Sequence, residues 1–316
     1  MPSVRSMLRA PWAVGYWLGV GQRQTVEQGD DLVFLCHGTP RSMAARLERQ
    51  LRYLRRAFTI VTLAAFAASI SQPPTPGRPR RASIIFDDGL RSNVLVAYPM
   101  LRALGIPATF FVCPGLIEER RWLWTHEARR RLEFAGRYLR QELAVDLGAP
   151  AEIEAFVQWM KEMEFPHRTR VEAKLRYATA GFVPSDLDRD AFDLAGWDEL
   201  RSLDPSIVTV GSHTLTHPIL PSLSAAQIEA ELRDSRRMIE GKLARPADFF
   251  SYPNGDVDER TLSAVRRYYR AAVLDYSVTR SDPHLIPSVH LPRGVLGLAL
   301  KVNRPGATSA DMAPAL

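Results

Sequence analysis

Short apolar runs that each halt at a polar or turn-forming cluster recur along this chain, with helix-spaced stretches between them. The runs fall at 32–36, 82–86, 108–113, 207–210, 249–252 and 271–274, with a further β-branched start at 59–63. Between them, Met43, Leu47, Leu51 and Leu54 keep helical spacing, as do stretches 93–104, 224–243 and 258–268. Gly105 is placed to end one of these helices, and Ser224 with Gln227 forms a capping box at the start of another. Strand–helix alternation of this kind specifies a parallel sheet, open or closed into a barrel, because each parallel connection needs a crossover. A chain of 316 residues with 46% hydrophobic content suffices for such a barrel as one domain.

The rhythm breaks at 116–196, a charged, helix-prone stretch too long for a connecting loop and therefore expected to be a helical insertion. Residues 1–30 are expected to form an N-terminal arm without a motif, 31–300 the main domain that holds this insertion, and 301–316 a polar tail. Stretch 71–80 is rich in Pro and Gly and must be a loop. A last strand is expected at 291–296.

Cys36 and Cys113 lie in separate apolar runs and form no CxxC pair, so both are expected as buried free thiols. The net charge of +6 comes from dispersed basic residues, which suits a solvated surface. No aromatic-interleaved basic stripe points to nucleic acid. Run 58–70 is too short to span a bilayer, and no signal peptide is read at the start. A cytoplasmic enzyme without a transmembrane segment is the expectation, with peripheral membrane association left open. Arg129, Arg130 and Arg131 are expected on a solvated helix face.

The chemistry gathers where the runs end. His37, Asp87-Asp88, His213 and the turn Tyr252-Pro253-Asn254-Gly255 all follow expected strands. In a barrel or a doubly wound sheet, those carboxyl ends share one mouth. His213 and His217 are four residues apart, so a helical turn or a tight loop can aim both at one ion. Paired carboxylates beside them add ligand and base capacity, the parts of a metal-assisted hydrolase. The spacing lacks the glutamate of HExxH, which excludes a zincin mechanism.

Taken together, Phe86-Asp87-Asp88-Gly89, Ser212-His213-Thr214-Leu215-Thr216-His217-Pro218 and Phe249-Phe250-Ser251-Tyr252-Pro253-Asn254-Gly255 resemble the three motifs of the polysaccharide deacetylase (NodB-homology) family, carbohydrate esterase family four. Trp197-Asp198-Glu199-Leu200 and Leu291-Pro292-Arg293 fit the spacers, and the likeness spans about 32–295. It implies an α/β fold, a distorted (β/α)7-type barrel. It assigns Asp88, His213 and His217 to a divalent metal, zinc-like, and Asp87 to the role of catalytic base. Tyr252, Pro253 and Asn254 would bind substrate, with the Asn254 backbone N–H helping to hold an oxyanion.

Two departures stand out. The family's Leu-x-His acid motif is missing after the third motif, while Leu35-Cys36-His37 matches it near the start. That order resembles a circularly permuted branch and makes His37 the expected acid, with His290 second. Ser251 stands where many members carry a base-orienting arginine, and Arg293 is the candidate substitute. The implied activity is removal of N-acetyl groups from sugars of a polysaccharide or its precursor. Two alternatives stay open: a hydrolase of another linear or cyclic amide, and a non-catalytic carbohydrate-binding protein. Trp122 and Trp124 either bury against their own helices or stack on sugar rings.

Overall fold

The computed structural model describes residues 31–70, 78–275, 282–292 and 294–302. Eight parallel strands form one sheet: β1 (Leu32–Cys36), β2 (Thr59–Ile60), β3 (Arg81–Phe86), β4 (Ala108–Val112), β5 (Val208–Ser212), β6 (Phe249–Ser251), β7 (Ala271–Leu274) and β8 (Ile286–His290). Their order is β1-β8-β7-β6-β5-β4-β3-β2, and β1 also pairs with β3. Seven strands therefore close into a barrel, with β2 adding two residues on β3. The first strand of the chain is the closing stave between the last strand and the third. Leu32–Cys36 runs in register with Ala82–Phe86 on one side, and Val33–Leu35 with Ser288–His290 on the other.

Period-two alternation explains why the strands are apolar throughout. Val33 and Leu35 of β1 join Ile85, Phe111, Phe249, Ala271, Val273 and Ile286 in one cluster drawn from six strands, the barrel interior. Their neighbours Leu32, Phe34 and Cys36 face outward into a larger cluster with Leu47, Leu51 and Leu54 of α1 (Ala44–Ala57). Both faces are buried, so the strands carry no polar alternation. Gly211 of β5 makes room for the interior: a Cβ there would lie 2.6 Å from the Phe111 ring.

Helix α2 (Leu63–Ala67) adds Leu63 and Phe66 to the interior cluster. The second strand is shorter than the expected 59–63 because the Thr62 hydroxyl accepts from Ala65 N–H and starts this helix. Helix α3 (Tyr98–Leu104), entered through a π-helical turn at Asn93–Ala97, ends at Gly105 with φ 62°. Helix α4 (Pro114–Glu119) follows β4 directly.

The insertion is helical, as expected: α5 (Trp124–Phe134), α6 (Gly136–Leu147), α7 (Ile153–Lys161), α8 (Phe165–Ala178) and α9 (Asp186–Phe192). It has its own core of Trp124, Leu132, Leu143, Phe156, Met160 and Leu175. Arginines 129–131 are not a solvated face. Arg129 meets Glu154, Arg130 meets Asp188, and Arg131 meets Glu127, with side chains only 16–33% exposed. The periodic pattern showed the helix but not Glu154 and Asp188, which neighbouring helices bring to it.

Helix α10 (Trp197–Arg201) leads to β5, α11 (Ala225–Leu243) to β6, and α12 (Glu259–Tyr268) to β7. The Ser224–Gln227 capping box is formed in both directions. The last strand is Ile286–His290, not 291–296. Pro287 and Ser288 interrupt its apolar signal, and the Leu291 N–H makes the final ladder bond to Leu35 before Pro292, which has no donor. The apolar stretch that follows is helix α13 (Val295–Val302), whose Leu298, Ala299 and Val302 join the outer core. Arg293 lies outside the described residues, as do the expected arm and most of the tail and Pro-rich loop. No described helix is long and apolar enough to cross a membrane.

Candidate metal centre

The strand register aligns the carboxyl ends on one rim. Cys36 pairs with Phe86, Phe86 with Phe110, Val112 with Ser212, Ser212 with Phe250, and Ser251 with Val273. The residues just beyond these ends meet over a cavity of about 220 Å³ lined by His37, Asp87, Asp88, His213, Tyr252 and Asp275, among others.

Asp87 and Asp88 diverge because the chain turns sharply between them and the next helix. Asp87 N–H still bonds to Cys36 O at 3.0 Å, whereas Asp88 and Gly89 take φ of 74° and 69°. The two carboxylates therefore reach different partners. Ser251 Oγ donates to Asp87 Oδ2 at 2.9 Å, and the buried Asp87 Oδ1 has no hydrogen-bond partner. Asp88 Oδ1 lies 3.7 Å from His213 Nε2 and 3.7 Å from His217 Nε2.

The two histidines sit in a loop, not a helix. Thr214 and His217 adopt φ of 67° and 59°, and the rings stand 4.8 Å apart. Three groups fasten this loop. Glu231 of α11 accepts from Leu215 N–H, Thr216 N–H and the Thr216 hydroxyl at 2.7–2.9 Å. The His217 N–H donates to Thr214 Oγ1 at 2.9 Å. The Trp124 indole N–H donates to the His217 carbonyl at 3.1 Å. Gly115 N–H also meets Leu215 O at 3.0 Å, an approach that a Cβ would obstruct at 2.8 Å.

One carboxylate and two imidazoles fit a divalent cation. Ligand atoms of Asp88, His213 and His217 all lie within 4.8 Å of one another. His213 Nδ1 is 2.7 Å from the Ser251 carbonyl, which fixes its proton there and turns the Nε2 lone pair toward Asp88. Burial pushes the pKa values of both histidines down, so their lone pairs are free at neutral pH. Burial would raise Asp88, but His126, His37 and His217 outweigh it and keep the group ionised. Asp87 differs: burial, aided by Asp88 and Asp275, pushes it up to about 7.

His37 is exposed at the mouth and stacks on His290 at 5.3 Å and 14°. His290 Nε2 pairs with Asp275 Oδ1 at 2.6 Å. Of the expected turn residues, Tyr252 and Asn254 line the cavity, and Pro253 is buried beside them. Tyr252 OH donates to His284 O at 3.1 Å. The Asn254 side chain is engaged at 2.6 Å with both Lys161 and Asp256.

Trp122 and Trp124 are buried. Trp122 packs near Phe182 and Phe192, while Trp124 also lines the cavity. Cys36 and Cys113 are free and buried.

Further polar residues line the cavity that the sequence reading did not single out as site residues. Asp275 directly follows β7, so the same rule of polar residues at strand ends applies to it and was overlooked. His126, Arg129 and Lys161 reach the cavity from insertion helices, where no strand-end signal exists. Ser251 occupies the place of the missing arginine and already holds Asp87 by its hydroxyl.

A family model described as polysaccharide deacetylase matches residues 75–273. Comparison with curated proteins finds no match. Among solved structures, the deacetylase PplD of Streptococcus pyogenes, solved with acetate, is similar with a TM-score of 0.57 at 14% identity, over 88% of this chain and 100% of that one. IcaB from Ammonifex degensii is similar with a TM-score of 0.57 at 15% identity, over 88% and 99%. The polysaccharide deacetylase BC0361 of Bacillus cereus gives a TM-score of 0.53 at 16% identity, over 88% and 70%. Identities this low speak for a shared fold.

Proposed function

We propose that this chain, which belongs to the polysaccharide deacetylase family, removes N-acetyl groups from sugars of a polysaccharide or its precursor, using a divalent cation held by Asp88, His213 and His217. The observation that carries the reading is that Asp87, whose buried Oδ1 has no hydrogen-bond partner, lines the same cavity as that cluster. The cluster's mixed nitrogen and oxygen donors suit zinc. A cation bound there would polarise the amide carbonyl and acidify a water.

The chain's own residues divide the remaining work. Asp87 Oδ1 takes the proton of the attacking water, while Ser251 fixes the other oxygen and so the carboxylate's orientation. His37, directly after the strand that pairs with the one before Asp87, delivers a proton to the departing amine. His290 backs the His37 ring, and Asp275 pairs with His290. The Asn254 side chain is tied to Lys161 and Asp256, so its backbone N–H is the group left to steady the oxyanion. Tyr252 and Pro253 shape the adjoining wall.

The test is acetate release from N-acetylated oligosaccharides, set beside metal content. Asp87→Asn should retain one ion per chain and lose turnover. Normal turnover by that variant would refute the base, and metal retained in both Asp88→Ala and His213→Ala would refute the ligand set. Turnover of small amides in preference to glycans would move the substrate class.

A further inference from the structure

We propose that the helical insertion is part of the metal centre, and that His126 is a positioning residue holding Asp88 with one oxygen toward the cation. This rests on the metal reading above. His126 is the third residue of α5, and its Nε2 lies 3.5 Å from Asp88 Oδ2. The opposite oxygen, Asp88 Oδ1, is the one that faces both histidine ligands. The His126 Nε2 atom is buried and has no hydrogen-bond partner, so the Asp88 carboxylate at 3.5 Å is the acceptor within its reach. Its ring is stacked on Phe192 at 4.8 Å and 27°, which sets the plane in which that nitrogen points.

The same helical turn presents Trp124, whose indole N–H holds the His217 carbonyl. Arg168 of α8 covers the Trp124 ring at 4.6 Å, and α9 supplies Phe192. Two of the three ligand residues are thus braced from the insertion, His217 by a residue 93 positions away and Asp88 by one 38 positions away. A carboxylate with two free oxygens can rotate between one-oxygen and two-oxygen ligation. An N–H on Oδ2 disfavours the second, and loss of such outer partners weakens metal sites by about 10–100-fold.

The experiment uses the full chain stripped of metal and titrated with zinc against a chromophoric chelator. His126→Phe keeps an aromatic ring for Phe192 and removes the donor; His126→Gln keeps a donor. The Phe variant should bind zinc at least about tenfold more weakly, and the Gln variant should recover most of the loss. Cobalt-loaded protein should show shifted visible bands only in the Phe variant. Unfolding midpoints of the metal-free proteins identify any folding defect, and His126→Leu replaces the Phe variant should that one not fold.

Wild-type zinc affinity in His126→Phe would overturn the proposal, as would failure of Gln to rescue. X-ray absorption showing three imidazoles in the wild type and two in the Phe variant would also overturn it, making His126 a direct ligand. If the wild type binds no zinc, or Asp88→Ala binds it normally, the metal reading itself fails. If those controls behave and only the His126 variants do not, the fault lies with His126 alone.

Discussion

Ser251 Oγ donates to Asp87 Oδ2 across 2.9 Å, joining the end of β6 to the end of β3. The same residue's carbonyl accepts from His213 Nδ1 at 2.7 Å. One position therefore orients the proposed base through its side chain and a proposed metal ligand through its backbone. Ser251→Ala should separate the two. Metal affinity should hold, because the carbonyl remains, while kcat falls about tenfold for the lost hydrogen bond. Since that bond lowers the Asp87 pKa, the acid limb of the rate profile should move upward. A loss of metal with unchanged kcat would contradict this division.

Asp87 carries a stability signature of its own in the metal-free protein. Burial pushes its folded pKa up from the ordinary 3.8 to about 7. The folded state thus binds this proton more tightly than the unfolded chain does. The contribution is fully present below about pH 4 and is lost as pH rises through about 7. Asp87→Asn should remove that slope. In denaturant melts it should exceed the wild type at pH 8, by about 1–3 kcal/mol after allowance for the lost native hydrogen bonding, and the gap should close by pH 4. Parallel pH dependences for both proteins would count against the raised pKa.

His37 and His290 stack, yet only His37 directly follows the strand that pairs with β3 along its whole length. His37→Ala should cost about 100-fold or more in kcat, the range for a general acid. His290→Ala should cost less, because it acts on the His37 ring and on Asp275. The reverse order would transfer the acid role to His290.

Glu231 satisfies two backbone N–H groups and one hydroxyl in the metal loop. Glu231→Gln leaves at least one of those donors facing an amide N–H. Thermal unfolding should show a loss of about 1–3 kcal/mol, and zinc affinity should fall with it. Unchanged values for both would show that the loop holds its shape without this carboxylate.

The Cys36 thiol is pushed up to about 12 by burial, with Asp87 adding to the effect, and Cys113 is raised by burial as well. Both should resist alkylation in the folded protein and react only after unfolding. Rapid labelling of either under native conditions would show an opening at the rim that the folded packing does not contain.

Much of the barrel was readable because its strands are buried on both faces, so 32–36, 82–86 and 271–274 appear as unbroken apolar runs. The reading failed where a strand includes Pro287 and Ser288, and where an apolar helix at Val295–Val302 follows it. Hydrophobicity alone does not separate those two. In the site, His37, Asp87, Asp88 and His213 were visible because each lies just past the end of a strand. His126 and Lys161 were not, since they reach the cavity through tertiary packing of insertion helices with no local pattern to mark them. Serine in place of arginine looked like a loss, and only the geometry shows the hydroxyl already bonded to the base.

The barrel's seam has a kinetic consequence. β1 pairs with β8, so Leu35 must wait for His290, about 250 positions later, before the ring can shut. Until then β1 can rest on β3, which reaches it much sooner along the chain, while β8 remains a free edge. Contacts this distant are formed late and slowly. The stacking of His37 on His290 is a product of the same closure. Folding intermediates with an open ring would hold Asp87, Asp88, His213 and His217 beyond the ends of β3 and β5, with only β4 between them, and could gain affinity for a cation before the proposed proton donor is locked in place. Metal uptake during refolding should accordingly run ahead of recovered turnover, and the interval between them is the time the seam takes to close.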